Sequence, residues 1–209
     1  MLYLYFVRHA QTEWNVAGRI QGRQDSGLTE KGIEDAKLLG ERFKNMNWQA
    51  VYASPSKRAL KTLELIRGES FSSYIVDERL MEMDLGDLEG RTMEEIKELY
   101  PEQYHHYWHQ PGQYAHTSGE NFYDVKDRVE VLIRELLAAY QSGHVCIITH
   151  GVVVKMVQLI FRDLDMDQLW QTPYIEGTSV TALKVVNGQI EILSEGDLSH
   201  LSKKDSSVH

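Results

Sequence analysis

Apolar positions follow two alternating rhythms along this chain. Leu2 to Val7 is a short apolar and aromatic run ending in Arg-His, which predicts a buried strand. A polar loop, Ala10 to Ser26, follows. From Thr29 onward, Ile33, Ala36, Gly40 and Phe43 recur at helical spacing and share one face. Ala50 to Ala53 predicts a second strand, and Ser54-Pro55 opens a helix to about Arg67. Gly68 is a natural stop for that helix. Tyr74 to Val76 predicts a third strand.

In the second half, Thr92 with Glu95 has the form of a capping box for a helix to about Leu99. The longest amphipathic stretch is Phe122 to Tyr140, where Val125, Val129, Leu132, Ile133, Leu136, Leu137 and Tyr140 form one stripe. After Gly143, Val145 to Thr149 is almost continuously apolar, as in a parallel strand covered on both faces. Val152 to Phe161 is helical again. Thr178 to Val186 and Gln189 to Leu193 flank Asn187-Gly188, a two-residue hairpin signal. The expected fold is therefore α/β, three layers (α/β/α) around a mostly parallel mixed sheet with an antiparallel hairpin appended. Without repeats or linkers, residues 1–201 read as one domain, and 202–209 as a polar tail.

Composition narrows the function classes. The chain has 209 residues and a net charge of −9, which disfavours nucleic acid and anionic lipid as partners. Cys146 is the single cysteine, so no intramolecular disulfide or cysteine metal cluster can form. No apolar run approaches the ~18 residues of a membrane span. The apolar start has neither a basic flank nor a small-residue cleavage site, and the chain reads as a mature cytoplasmic protein.

Candidate chemistry sits where strands end. Phe6-Val7-Arg8-His9 and Ile148-Thr149-His150-Gly151 each deliver a histidine to a strand's carboxyl end, where open α/β sheets bind ligands. Either histidine alone would be read as an ordinary loop residue; two at matching positions point to a shared crevice. Arg58 falls in the first turns of the helix after the second strand, where the helix N-terminus and a guanidinium fork both suit phosphate.

The run Arg8-His9-Ala10-Gln11-Thr12-Glu13-Trp14-Asn15 resembles the R-H-G-x-T-x-x-N signature of the histidine phosphatase superfamily, the phosphoglycerate mutase-like fold. The resemblance continues, in the family's order, through Gln21 to Gly32, Ser54 with Arg58, Ala59 and Thr62, Glu82, Gly119-Glu120 and Thr149-His150-Gly151. It implies that His9 attacks phosphorus, that Arg8, Arg58 and His150 hold the phosphate oxygens, and that Glu82 exchanges the proton. Asn15, Gln21, Gly22 and Gly151 would complete the pocket. No metal or other cofactor is implied. Three departures stand out: Ala10 for glycine, Leu88 for a frequent tryptophan, and Gly27 for a frequent proline.

The resemblance implies a phosphatase acting on small phosphate monoesters, of broad specificity. Phosphoglycerate mutase is the alternative, and a silent phosphate-binding domain a second one. The acidic stretch Asp84, Asp87 and Glu89, against a lone Arg91, is expected to repel a phosphoglycerate and so favours hydrolysis. A cap-like insertion is expected at about 100–120. Between Tyr100 and Tyr123 lie seven of the chain's twenty aromatics, either lining the substrate site or packing the insertion. His105 and His109 have the spacing of a metal pair, but with His106 and His116 they read as a solvated or cap-lining cluster. Oligomeric state has no signature in this sequence.

Overall fold

The computed structural model of the protein describes residues 1–67, 73–115 and 118–201. Gly68, His116 and the tail from Ser202 lie outside them. The chain runs β1 (Leu2–Arg8), α1 (Glu13–Val16), α2 (Glu30–Phe43), β2 (Trp48–Ala53), α3 (Lys57–Arg67) and β3 (Ile75–Val76). It continues through α4 (Met93–Leu99), α5 (Pro101–His109), α6 (Phe122–Ala139), β4 (Gly143–Thr149), α7 (Gly151–Arg162), β5 (Val180–Val186) and β6 (Gln189–Asp197). The six strands form one sheet in the order β3-β2-β4-β1-β5-β6. β3, β2, β4 and β1 pair in parallel, while β5 and β6 are antiparallel. This is the mixed α/β sheet expected from the hydrophobic pattern.

Side-chain alternation divides the core between the two faces. On β4, Val145 and Ile147 join Leu2, Leu4 and Phe6 of β1 beneath α6 and α7. Cys146 and Ile148 join Val7, Val51 and Ala53 on the opposite face, against α2 and α3. From Val145 to Ile148 β4 is continuously apolar because both of its faces are covered. The α6 stripe buries Val125, Val129, Leu132, Ile133 and Leu136. At the hairpin, Asn187 and Gly188 both take positive φ, 51° and 78°, the geometry that matches the strand twist.

Local chemistry moved several boundaries. The loop 10–26 contains a helical turn, α1, because Thr12 caps it and Asn15 returns the bond to the Thr12 backbone. The third strand shrinks to two exposed residues at the sheet edge, with a partner on only one side. β2 begins two residues early, at Trp48, and β6 runs on to Asp197 across irregular pairing with β5. The Thr92–Glu95 capping box is formed as read. α5, which aromatic content alone did not announce, starts with proline at its first position.

Candidate active site

Register brings the chemistry together. Arg8 pairs with Thr149, and Ala53 with Ile148, so β1, β4 and β2 end level with one another. His9 N–H donates to Thr149 O at 2.8 Å and Ser54 N–H to Ile148 O at 2.9 Å, carrying that alignment one residue past the sheet. The His9 and His150 rings consequently stand with centroids 5.2 Å apart. Arg8, His9, Asn15, Gln21, Gly22, Arg58 and Glu82 line one cavity of about 230 Å³. Gly151 lines an adjoining cavity of about 350 Å³, which shares Arg8 and Glu82 with the first. His150 is fully buried behind this lining.

The hydrogen bonds of His9 settle its tautomer. Its Nδ1 lies 2.8 Å from the Ala10 carbonyl, which can only accept, so Nδ1 carries the proton and Nε2 the lone pair. Arg58 Nε donates to that Nε2 at 3.2 Å. Burial, with the Arg58 and Arg8 charges added, holds the His9 pKa well below the usual histidine value. His150 is depressed in the same way, first by burial and then by Arg58. Its Nε2 is 2.7 Å from the Ser54 hydroxyl, while its Nδ1 has no partner among the described residues. Both rings are therefore neutral at pH 7.

Arg58 is 2% exposed and almost fully engaged. Nη1 donates to Gln24 O and Asp25 Oδ1, Nη2 to Gly22 O, and Nε to His9. Four of its five N–H groups are committed, which leaves one on Nη2. Gly22 presents its carbonyl from φ +51°, and a Cβ there would collide with the Glu89 carboxylate. That carboxylate accepts from the backbone of Arg23, Gln24 and Leu85 and ties the loop together. Gln21 is buried against the Ser26 hydroxyl. Asn15 spends its oxygen on Thr12, leaving its amide nitrogen. Ala10 is buried, with its N–H on Thr62 Oγ1 at 2.9 Å.

Two expectations require correction. The α3 N-terminus is not open to an anion, because the Asp25 carboxylate accepts from the backbone of Lys57 and Arg58. The acidic stretch after Glu82 does not face the crevice either. Glu89 is folded under the loop, and Asp84 Oδ1 accepts from Gly86 N. The carboxylate that lines both cavities is Glu82. It caps α7, with Oε2 3.2 Å from Val152 N and Oε1 3.0 Å from Met83 N. Any Cβ on Gly151 would come within 3.7 Å of both Glu82 Oε2 and Arg8 Nε.

The aromatic segment both packs and lines. Tyr107, on α5, touches the rings of Trp108, Tyr114, Phe122 and Trp170. Tyr114 and Phe122 belong to the core, whereas Tyr107 and Trp108 also face the larger cavity together with Trp170. Trp170, beyond the aromatic window, went unread, as did the Glu120–Arg128–Arg23 cluster that holds Asp84 N. Lys155 was missed too, although one lysine inside an apolar helical run is a readable signal. His105 and His109 lie with ring centroids 5.1 Å apart, tilted by 43°, on an exposed face. Among the described residues no three His, Cys, Asp or Glu side chains gather as a metal set.

This architecture has named counterparts. The chain belongs to the histidine phosphatase superfamily (branch 1), whose model matches residues 4–197. Phosphoric monoester hydrolase is the enzyme class that goes with this membership and with its phosphatase relatives. The solved structure of Bacillus stearothermophilus YhfR is 43% identical, covers 96% of this chain and 100% of its own, and superposes with a TM-score of 0.92. Phosphoserine phosphatase 1 of Hydrogenobacter thermophilus is 31% identical over 81% of either chain. A probable phosphoglycerate mutase GpmB of Salmonella choleraesuis is 30% identical over 74% of this chain and 72% of its own.

Proposed function

We propose that this protein hydrolyses phosphate monoesters of broad structure, without a metal, through a phosphohistidine on His9. The observation that carries this reading is the His9 tautomer: a buried, neutral imidazole whose Nε2 lone pair meets Arg58 in the wall of the cavity. An incoming phosphoryl group takes that Arg58 hydrogen bond through an oxygen and exposes the lone pair to phosphorus. Arg8 Nε and the spare Arg58 Nη2 hydrogen are donors for the equatorial oxygens, joined by His150 Nδ1 in the tautomer whose Nε2 accepts from the Ser54 hydroxyl. Positioned donors of this kind stabilise the charge that develops in phosphoryl transfer. Glu82, leaving its place at the α7 N-terminus, takes up a proton from the phosphate monoester monoanion or solvent, passes it to the departing oxygen, and then takes one from the attacking water. The aromatic wall accepts bulky, partly apolar leaving groups by contact alone.

Phosphoglycerate mutase remains the second reading, because several relatives carry that description. It is tested by incubating the protein with 3-phosphoglycerate and looking for 2-phosphoglycerate against released phosphate. The leading reading is tested by rapid quench with p-nitrophenyl phosphate. Wild type should yield acid-labile, base-stable phosphohistidine, and His9→Ala should lower kcat by at least about 10⁴-fold. Activity should persist in EDTA. Loss in EDTA with recovery on adding zinc would overturn the mechanism.

A further inference from the structure

α7 carries a cation among apolar neighbours. Lys155 is 5% exposed, inside the run Val152–Leu159 in which every residue is buried. Its three ammonium hydrogens go to neutral acceptors: Thr172 O at 2.7 Å, Thr172 Oγ1 at 2.9 Å and Pro173 O at 2.9 Å. Burying a charge without a countercharge opposes folding, so packing alone does not account for a lysine here.

All three acceptors sit in one stretch of irregular backbone, which belongs to no strand or helix. Two residues beyond Pro173, the Ile175 carbonyl accepts from Arg8 Nη1 at 2.6 Å. Thr172, Tyr174 and Ile175 line the crevice beside Arg8 and Glu82. Arg8 thus takes part of its orientation from a carbonyl that no sheet ladder holds. The stretch is anchored to α7 through Lys155.

We infer that Lys155 is a positioning residue, which by tying Thr172 and Pro173 to α7 sets the angle at which Arg8 meets phosphate. The inference rests on the reading of Arg8 as a phosphate ligand. Lysine suits the task because its three donors reach three acceptors at once, which methionine or leucine of similar size cannot do.

The same geometry makes the anchor sensitive to pH. Burial pushes the Lys155 ammonium down to about 8, with Glu195 of β6 pulling the other way. Glu195 is itself paired with Arg162, and across the crevice stand Arg8, Glu82, Tyr107 and Tyr174. Burial holds the Tyr107 hydroxyl well above its ordinary value, so it stays neutral through this range. A neutral amine has two hydrogens for three acceptors. One bond is therefore lost as pH rises through about 8.

A double-mutant cycle on p-nitrophenyl phosphate tests the coupling. Lys155→Met should lower kcat/KM by roughly 10–100-fold in wild type, the scale of a small misplacement of a binding group. In an Arg8→Ala background the same substitution should cost less than about 3-fold, because the group it positions is gone. Equal losses in the two backgrounds would overturn the inference. Near wild-type activity in Arg8→Ala would remove the phosphate role of Arg8 itself, and this inference with it. Should Lys155→Met not fold, wild type and Arg8→Ala are compared across pH 7 to 9.5. An alkaline fall with a midpoint near 8 in wild type, absent from Arg8→Ala, is the expected result. The same fall in both proteins, or none in wild type, would overturn it.

Discussion

At the histidine end of the crevice directional hydrogen bonds fix the side chains and leave a few donors free, whereas the opposite wall is held mainly by ring against ring. Arg58 commits four N–H groups to the protein, His9 both ring nitrogens, and Glu89 three backbone amides. Among the described residues the Tyr107, Trp108 and Trp170 wall is tied by a hydrogen bond from Trp170 Nε1 to the Tyr107 carbonyl and by the Lys155 ammonium 5.9 Å from the Trp170 ring centroid. Directional bonds fix a group to within a fraction of an ångström, as charge development on phosphorus requires. Ring contacts tolerate displacement and carry little directional information. One end is built for a single anion geometry and the other for variety. Changes at the proposed phosphate end should therefore be large, and indifferent to the ester's organic part when they touch the clamp. Changes at the wall should be small and selective.

After loss of His9, the largest effect is expected at Glu82, where the two ends meet. Glu82→Gln removes the proton but keeps an amide to cap α7. In single-turnover measurements it should slow phosphorylation of His9 by about 10²–10⁴-fold with alkyl phosphates, whose alkoxide needs a proton to leave. With p-nitrophenyl phosphate the first step should be far less affected, and a burst of nitrophenol should precede slow turnover. Equal losses on both esters would mean that Glu82 is not the proton donor.

Arg58→Lys comes next, at roughly 10²–10³-fold in kcat/KM. Lysine keeps the charge but cannot reach Gly22, Gln24, Asp25 and His9 together, and buried carbonyls would lose their donors. The loss should be the same for small and bulky esters, and inhibition by vanadate should weaken alongside it. A loss confined to bulky esters would place Arg58 with the leaving-group wall and erase the distinction drawn above.

Trp108→Ala is the gentlest test. It removes one ring from the wall and its 4.7 Å contact with Trp170. KM for a naphthyl phosphate should rise about 3–10-fold, in line with the ~0.5–1.5 kcal/mol of one aromatic contact. Phosphoserine, with no ring to place, should change less than about twofold by the same reasoning. A uniform loss across all esters would show that Trp108 supports the fold rather than the substrate.

Hydrophobic rhythm alone placed the parallel strands, α6 and the hairpin, because burial on one or two faces writes its period directly into the chain. The short motifs, matched to a family, placed all nine candidate site residues in or directly behind two adjoining cavities. Boundaries and partnerships were another matter. Whether a helix terminus stays open depends on which distant carboxylate reaches it; Asp25 takes that of α3 and Glu82 that of α7. Composition counted Asp84 and Glu89 as repulsive charge, yet both are spent on backbone amides: Asp84 on Gly86, and Glu89 on Leu85, Arg23 and Gln24.

The sequence by itself determined which elements exist, which chemical groups arrive at the strand ends and in what order. Those features are local, set by side-chain period and by neighbours a few residues away. Tertiary structure alone decided the charge state and the tautomer of His9, which depend on burial, on Arg58 and Arg8, and on the turn of one carbonyl. It also decided that Lys155 and Trp170, unmarked by any motif, stand in the crevice. Such facts are differences in distance between residues remote along the chain. A linear pattern does not contain those distances; the sheet register and the packing of α7 create them.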